Sequence, residues 1–197
     1  EVYGDQVVFP IKETNPLNPK SVYAVSKLAC EEYIKAYSGR YNLDYAMVRF
    51  FNVYGPGQVG QFVVPRFVAA VQKGEAPQVY GDGGQDRAFC YVDDAAKGVL
   101  LALFSEKANG NVFNIGNPGE RYTILQLAQK IIAASGKKLE PKFIPFTQSD
   151  RKVEREIAAR YPDISKAQEI LGYQPSVDLE TGIRRMLGGV IAENWTR

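Results

Sequence analysis

Ser21-Val-Tyr-Ala-Val-Ser-Lys27 opens a segment with helical spacing, and Tyr23 and Lys27 lie four positions apart within it. On an α-helix, residues four apart share one face, with their Cβ atoms about 5–6 Å from each other. A tyrosine is a poor base at neutral pH because its ordinary pKa is about 10, and a neighbouring ammonium favours the phenolate. The spacing therefore predicts a pair able to move a proton, with Tyr23 as acid–base and Lys27 as its electrostatic partner.

The helix that carries this pair is predicted from Ser21, a suitable N-terminal cap, to Gly39 or Arg40. Apolar and polar residues alternate along it at helical spacing, which indicates an amphipathic helix. The apolar set is Val25, Leu28, Ala29, Ala36 and Tyr37, and the polar set is Glu31, Glu32 and Lys35. Because Tyr-x-x-x-Lys is short enough to arise by chance, the flanking sequence decides whether the pair is catalytic.

A nearly continuous apolar run, Asp44–Phe51, follows the helix after a short turn. Such a run is typical of a strand covered on both faces of a parallel sheet, and helix followed by strand is half of a βαβ repeat. Asn52–Gln58 would then form a loop at the carboxyl end of that strand, where ligands bind in open α/β sheets. The alternative is that the glycines and proline of this loop merely turn the chain.

The rest of the chain alternates in the same way between short strands and capped helices. Helices are predicted at Phe62–Lys73, from Asp93 or Asp94 to Phe104, at Ile124–Ser135, from Asp163 to Leu171 and from Asp178 to about Trp195, and strands at Gln78–Tyr80, Arg87–Val92, Asn111–Ile115 and Lys142–Ile144. The predicted class is α/β. Residues 1–55 and 86–119 are assigned to a parallel-sheet domain, and residues 56–85 and 120–197 to a smaller, interleaved lobe.

Composition excludes several classes of function. The 24 basic and 22 acidic residues give a net charge of +2, too small to favour nucleic acid or a membrane surface. No apolar run approaches the roughly 18 residues of a membrane span. The absence of histidine excludes Ser-His and Cys-His catalysis and histidine metal sites, and two isolated cysteines cannot form a zinc cluster. Cys30 and Cys90 suit buried thiols in a reducing compartment, which favours a cytoplasmic protein.

Six motifs stand in a recognisable order along the chain. They are Tyr23-x-x-x-Lys27, Arg49-Phe-Phe-Asn-Val-Tyr-Gly-Pro56, Val79-Tyr-Gly-Asp-Gly-Gly-Gln-Asp-Arg87, Tyr91-Val-Asp-Asp94, Asn114-Ile-Gly-Asn117 and Arg160-Tyr-Pro-Asp163. Together, from Glu1 to about Leu187, they closely resemble the extended short-chain dehydrogenase/reductase family, in its nucleotide-sugar epimerase/dehydratase branch. The resemblance implies a partial Rossmann-like parallel sheet with a smaller mixed α/β substrate-binding lobe. It also implies NAD as cofactor, a nucleotide-diphosphate sugar as substrate, and a homodimer.

One departure from the family is plain. Its members begin with a Rossmann half that carries Gly-x-x-Gly-x-x-Gly, and no such loop occurs between a strand and a helix in this sequence. The residues just before Glu1, where the family keeps a Ser or Thr for the sugar hydroxyl, are absent as well. We therefore expect the chain to be the C-terminal portion of a longer protein. Alone, we expect it to be inactive and to bind NAD weakly or not at all, because the pyrophosphate normally sits on the first helix of that half.

The resemblance implies roles at the cofactor. Tyr23 as phenolate would remove the proton from the sugar 4-hydroxyl while C4 gives a hydride to NAD+. Lys27 would hold the nicotinamide ribose and favour the phenolate. Phe51 resembles the position that packs beside the nicotinamide, and Val53 is placed in the same cofactor-binding set.

The resemblance also implies the substrate contacts. Asn52 resembles the residue that contacts the nucleotide-sugar diphosphate, and Arg87 and Arg160 resemble the two arginines that clamp it. Guanidinium groups bind phosphate oxygens bidentately, although each arginine taken alone could be a surface charge. Val64 and Tyr80 lie where the family lines the base pocket, with packing in the core or in a strand as the alternative.

Glu1 bears on the type of reaction. Dehydratases that resemble this chain place Asp-Glu before Val-Tyr-Gly and use both acids to expel water, and sugar-acid decarboxylases keep a Glu in a similar place. Glu1 is therefore a third candidate catalytic residue, with an ordinary charge at a strand end as the alternative. The segments 21–27 and 154–163 resemble those of 4-epimerases more than those of dehydratases or decarboxylases. The sequence thus favours an NAD-dependent nucleotide-sugar 4-epimerase. A 4,6-dehydratase, a UDP-sugar-acid decarboxylase and a non-catalytic nucleotide-sugar-binding module are the alternatives.

Overall fold

Helices and short strands alternate through residues 1–148 and 157–188, the parts of the chain that the computed structural model describes. The helices are α1 (Val22–Tyr41), α2 (Val63–Gln72), α3 (Val92–Phe104), α4 (Ile124–Ser135), α5 (Ser165–Leu171) and α6 (Leu179–Gly188). The strands are β1 (Ala46–Phe50), β2 (Val53–Tyr54), β3 (Gln78–Tyr80), β4 (Asp86–Ala88), β5 (Cys90–Tyr91), β6 (Asn111–Ile115), β7 (Arg121–Thr123), β8 (Lys142–Ile144) and β9 (Ala159–Arg160). Single turns of 3-10 helix lie at Glu106–Ala108 and Phe146–Gln148.

Most strand pairs are parallel, which confirms the predicted α/β class. Strand β1 pairs with β6 in a register that sets Arg49 opposite Asn114, and β2 pairs with β5. Strand β3 pairs with β8, and β4 lies between antiparallel β7 and parallel β9. Because parallel neighbours end at the same edge, the loop after β1 and the loop after β6 come together.

The predicted helix caps at the two best-patterned helices are confirmed. The Ser21 hydroxyl accepts a hydrogen bond from the Ala24 amide at 3.1 Å and starts α1. Thr123 and Gln126 form a reciprocal capping box at the start of α4, and Gly136, with φ +69°, ends it. Such caps satisfy amide groups that would otherwise lack partners in the first turn.

Two other predicted caps differ in detail. Helix α3 starts at Val92 without a side-chain cap, and Asp94 instead accepts hydrogen bonds from the amides of Ser176 (3.0 Å) and Val177 (2.9 Å). A buried carboxylate needs hydrogen-bond donors, and for Asp94 the loop at Ser176 and Val177 supplies them. Helix α5 starts at Ser165, with Ile164 at its N-cap position. Asp163, the predicted cap, lies one residue earlier, and its carboxylate accepts a hydrogen bond from the Ser165 amide at 2.8 Å. The predicted extension of the last helix to Trp195 lies outside the described residues.

The predicted amphipathic face of α1 is wrong. Val25 is 53% exposed and Tyr37 is 56% exposed, whereas Ala24 and Glu31 are buried. The predicted polar position Glu31 faces inward because Arg49 on β1 meets it there, and a paired carboxylate tolerates burial. The helix orientation therefore follows an ion pair and not the apolar pattern.

Two further predictions of burial are corrected. Strand β1 is not covered on both faces by the described residues, because Phe50 remains 49% exposed while Met47 and Arg49 are buried on the opposite side. Alternate strand residues point to opposite faces, and on the face of Phe50 only Val48 of this strand packs against an apolar cluster. Cys90 is a buried thiol as predicted, but Cys30 is exposed, because it lies on the open flank of α1.

Three apolar clusters form the core of the described residues. The large cluster packs α2, α4 and α6 around residues such as Phe67, Leu127 and Ile183. The sheet cluster packs α3 and α5 against β6, with Phe113 and Ile115 at its centre. The small cluster consists of Val2, Tyr3, Ile11 and Phe51, with Phe9, Leu17 and Leu28 against it. The division into residues 1–55 with 86–119 and 56–85 with 120–197 stays a prediction, and α5 of the second set packs in the sheet cluster.

Candidate functional site

Tyr23 and Lys27 lie together on the first turns of α1. The Lys27 ammonium is 5.5 Å from the centroid of the Tyr23 ring, within the range of a cation–π contact. The Tyr23 side chain is 59% exposed, so its hydroxyl is open to a ligand. The two groups thus share one accessible face of the helix.

Glu1 lies beside the start of the same helix. The Ser21 hydroxyl donates to Glu1 Oε2 at 3.1 Å. A tight turn holds Glu1 in place, with the Gly4 amide donating to the Glu1 carbonyl at 3.1 Å. Gly4 has φ +59°, and a Cβ there would lie 1.9 Å from the Asn18 carbonyl oxygen, so only glycine fits. The turn therefore sets a carboxylate at a helix N-terminus, where negative charge is favoured.

Asn52 lies two residues after Phe50, the last residue of β1. Its backbone has φ +42°, a left-handed conformation that asparagine tolerates better than most residues. The side-chain amide donates to the Ala88 carbonyl at 2.8 Å and accepts from Arg160 Nη2 at 2.7 Å. These two contacts fix the direction of the amide and bring a guanidinium to the strand end.

Arg87 and Arg160 are direct partners on the neighbouring strands β4 and β9. Arg87 is 8% exposed, and its guanidinium donates to the backbone carbonyls of Ile157 (2.5 Å) and Ala158 (3.2 Å). These bonds tie Arg87 to the segment that leads into β9. The structure thus places two guanidinium groups side by side, one of them bonded to Asn52, and a diphosphate contact by either stays a prediction.

Phe51 and Val53 flank Asn52 in sequence and point into protein. Phe51 is 2% exposed, lies in the small cluster and has its ring centroid 6.0 Å from that of Tyr3. Val53 is half-buried against the sheet cluster. Because Tyr3 comes two residues after Glu1 and Phe51 comes one before Asn52, this ring contact joins the two halves of the candidate site.

Val64 and Tyr80 lie in the part built by α2 and β3. Val64 is 2% exposed and belongs to the large cluster, which favours the packing alternative for this residue. Tyr80 is half-buried, and the Arg66 guanidinium carbon lies 5.0 Å from its ring centroid. A contact of either residue with a nucleotide base stays a prediction.

A buried polar network connects these elements, and sequence reasoning missed it. Arg49 Nε and Nη2 donate to the two carboxylate oxygens of Glu31 at 2.9 and 2.5 Å. Arg49 Nη1 donates to the Tyr3 hydroxyl at 2.8 Å, and that hydroxyl donates to Asn114 Oδ1 at 2.6 Å. The network joins α1, β1, β6 and the segment after Glu1. An arginine inside the apolar run of β1 was the signal that could have revealed it.

The protonation states of the network follow from its contacts. Burial of Arg49 disfavours its charge, but the hydrogen bonds with Glu31 and Tyr3 outweigh this and hold its pKa above the usual value. Burial also raises the pKa of Tyr3, against the lowering effect of the Arg49 charge. Arg49 therefore stays charged and Tyr3 stays protonated at physiological pH. The Arg49 guanidinium and the Tyr3 hydroxyl thus keep the protons that they donate in the network.

Other kinds of site find little support in the described ranges. Residues 1–148 and 157–188 contain no group of three or more Cys, Asp or Glu placed to hold a metal ion. None of the helices described there combines the length and apolar character that crossing a membrane requires. An open groove of about 300 Å³ lies along α4, lined by Tyr122, Gln126, Gln129, Lys130 and Ala133, and it includes none of the candidate residues.

Comparisons with known proteins agree on one family. The sequence profile of the family described as GDP-mannose 4,6 dehydratase matches residues 1–186. A putative UDP-glucose 4-epimerase of Methanocaldococcus jannaschii is 36% identical over 200 residues, which covers 99% of this chain and 61% of that protein. UDP-glucuronic acid decarboxylase 3 of Arabidopsis thaliana is 36% identical over 194 residues, covering 94% of this chain and 54% of that protein.

A solved structure gives the same result. The UDP-glucuronic acid 4-epimerase of Bacillus cereus, in complex with UDP-glucuronic acid and NAD, superposes with a TM-score of 0.85 at 31% identity. The match covers 94% of this chain and 57% of that one. The chain thus spans between half and two thirds of the length of each of these three proteins.

Proposed function

Because the chain belongs to the GDP-mannose 4,6 dehydratase family, within the extended short-chain dehydrogenase/reductases that act as nucleotide-sugar epimerases and dehydratases, we propose that it forms part of an NAD-dependent nucleotide-sugar 4-epimerase. The observation that carries the proposal is the Lys27 ammonium beside the exposed Tyr23 ring. Here the parent protein means the natural protein in which these 197 residues occur. The proposed activity belongs to the parent protein.

The candidate residues fit one end of NAD. Tyr23 and Lys27 expose a hydroxyl and an ammonium on one helix face, which suits the ribose hydroxyls next to the nicotinamide. When bound, NAD supplies a hydride acceptor for the sugar carbon and returns the hydride later. The described residues offer no glycine-rich loop at a helix start, so the proposal assigns none of them to the pyrophosphate of NAD.

The proposed chemistry of the chain itself is proton transfer. Tyr23 as phenolate accepts the proton of the sugar 4-hydroxyl and gives it back after the 4-keto sugar has turned over in the site. Lys27 stabilises the phenolate by its charge, an effect that strengthens when bound ligands exclude water from the exposed face. No histidine is available for this task anywhere in the chain.

Substrate binding is assigned to the pair of Asn52 and Arg160, with Arg87 beside them. The Asn52 amide is held by Ala88 and Arg160, so it presents a fixed polar group at the end of β1. Arg160 adds a positive charge that a diphosphate would meet next to that amide. The Bacillus cereus epimerase of similar fold was solved with UDP-glucuronic acid, a ligand of this class.

Decarboxylation of a UDP-sugar acid is the second candidate. It is favoured by Glu1, which Ser21 holds at the start of α1, and by the Arabidopsis thaliana decarboxylase at 36% identity. The family description also keeps a 4,6-dehydratase open. All three reactions start with the same hydride and proton transfer, so the proposed roles of Tyr23 and Lys27 are common to them.

Product analysis of the parent protein tests the proposal. With UDP-glucose, UDP-glucuronic acid and NAD, an epimerase gives a product of unchanged mass, whereas a dehydratase loses water and a decarboxylase loses carbon dioxide. Tyr23→Phe should reduce turnover about 10²- to 10⁴-fold with substrate binding retained. Tyr33→Phe, at an exposed tyrosine of the same helix, is the control. Full turnover by Tyr23→Phe would contradict the proposal, and binding without turnover by the unaltered protein would favour a non-catalytic module.

The predicted homodimer and cytoplasmic location stay proposals. The dimer is supported by exposed apolar side chains on α1, where Val22 is 83% and Tyr33 is 67% exposed. Contiguous exposed apolar patches, unlike single exposed residues, are typical of surfaces that another polypeptide covers. Light scattering of the parent protein, with Val22→Lys as the variant expected to weaken association, tests the dimer.

A further inference from the structure

Helix α1 carries the proposed acid–base pair but is weakly held by apolar contacts. The whole helix lies in the described part of the chain, and its buried residues are Ala24 and Glu31, with Leu28 partly buried against the small cluster. Its other apolar side chains are largely exposed, including Val25 and Tyr37. Within the described residues, α1 therefore has few apolar contacts that set its rotation about its own axis.

Glu31 adds a polar constraint. The residue is 8% exposed, and its carboxylate receives two parallel hydrogen bonds from the Arg49 guanidinium, at 2.9 and 2.5 Å. A bidentate pair of this type fixes direction as well as distance. Because Tyr23, Lys27 and Glu31 follow each other at intervals of four along one side of the helix, fixing the rotation at Glu31 also fixes the direction in which the Cα–Cβ bonds of Tyr23 and Lys27 leave the helix.

Arg49 connects this constraint to the substrate end of the site. It lies on β1, two residues before Phe51 and three before Asn52. Its remaining terminal nitrogen donates to the Tyr3 hydroxyl at 2.8 Å, and Tyr3 is two residues from Glu1. The Arg49 guanidinium thus contacts the helix of the acid–base pair and holds the segment that carries Glu1, and Arg49 lies on the strand that leads to Asn52.

We propose that Glu31 and Arg49 are positioning residues that set the rotation of α1, and so orient Tyr23 and Lys27 toward the sugar of a nucleotide sugar whose diphosphate contacts Asn52. The inference rests on the proposed function for its chemical consequence. A displacement of about 1 Å at a catalytic group, caused by a change elsewhere, can lower a rate about 10²-fold. Loss of the pair should therefore impair the proton transfer far more than the binding of the nucleotide sugar.

Kinetics of the parent protein test the proposal. In Glu31→Gln we expect kcat to fall about 100-fold, with the KM for the nucleotide sugar changed less than about threefold. The control is Glu32→Gln, which removes an exposed carboxylate paired with Lys35 on the same helix and should leave both kcat and KM unchanged.

Two conservative variants guard against simple unfolding. Glu31→Asp keeps the charge but shortens the side chain. Arg49→Lys keeps the charge but cannot form the bidentate hydrogen bonds of a guanidinium. Both should fold and should repeat the fall in kcat in part. If these variants and Glu31→Gln lower only the unfolding midpoint, with kcat and KM per folded molecule as in the unaltered protein, the proposal is wrong.

A structural measurement separates this inference from the proposed function. Crystal structures of the parent protein and of Glu31→Gln should differ in the distance from the Tyr23 hydroxyl to the Asn52 amide by about 1 Å or more, and Glu32→Gln should not differ. An unchanged distance overturns the inference whatever the activity. If the unaltered protein turns over no nucleotide sugar, the proposed function fails, while the crystal structures still decide whether the pair positions α1.

Discussion

Arg160 donates a hydrogen bond from Nη2 to Asn52 Oδ1 over 2.7 Å and so joins β9 to the loop that follows β1. The two residues are 108 positions apart in sequence. The family resemblance implies that both contact the diphosphate of the substrate. The bond orients the Asn52 amide, whose nitrogen also donates a hydrogen bond to the Ala88 carbonyl. The pair can therefore act as one preformed unit toward a ligand.

Asn52→Ala in the parent protein should weaken binding of a UDP-sugar about 10- to 100-fold, since a hydrogen bond to a charged group contributes about 1.5–3 kcal/mol. Calorimetry measures the affinity. Asn52→Gly is the matched control, because glycine adopts φ +42° freely and alanine does not. Both variants should lose the same affinity, while Asn52→Ala should lose about 1 kcal/mol more stability. Unaltered affinity in both would remove Asn52 from the site.

Lys27→Met should lower kcat of the parent protein about 100-fold, because the proposed proton transfer loses the ammonium that lies beside Tyr23. Steady-state kinetics with the nucleotide sugar measure the loss. Lys35→Met, at an exposed lysine paired with Glu32, should leave kcat unchanged. Full turnover by Lys27→Met would contradict the proposed role of Lys27.

The two cysteines should react at very different rates. Burial raises the pKa of the Cys90 thiol to about 11, so little thiolate forms at pH 8, and the sulfur is also inaccessible. Cys30 is exposed on α1. Iodoacetamide at pH 8 should therefore modify Cys30 alone in the folded chain and both cysteines in urea, as read by peptide mass. Rapid modification of Cys90 under native conditions would show that the packing around it is wrong.

Gly182→Ala should destabilise the protein by about 1–3 kcal/mol, although alanine normally favours a helix. An added Cβ would lie 2.1 Å from the buried Tyr54 hydroxyl, and Tyr54 is packed edge-on against Tyr91 and Phe89. Urea unfolding measures the loss. Gly39→Ala in α1 is the control, because nothing lies within 4 Å of its added Cβ, and it should be neutral or stabilising by up to about 1 kcal/mol. Equal stability of both variants would contradict the packing of α6 on Tyr54.

The sequence determined the local elements. Asn111–Ile115, Ile124–Ser135 and Lys142–Ile144 occur with the predicted bounds. Thr123 and Gly136 cap α4 as predicted. Alternation, helical spacing and caps act over a few neighbouring residues, so these features follow from the chain itself. The four-residue interval of Tyr23 and Lys27 is of the same local kind.

Only the tertiary structure decided which side of α1 faces the protein and what Asn52, Asp94 and Arg49 bind. An apolar stripe predicted burial of Val25 and exposure of Glu31, and the fold does the reverse because the carboxylate meets a guanidinium from β1. Asp94 finds its donors in the loop at Ser176 and Val177 instead of in its own helix. Burial of a charge depends on whether a distant partner compensates it, and no local pattern of residues contains that information.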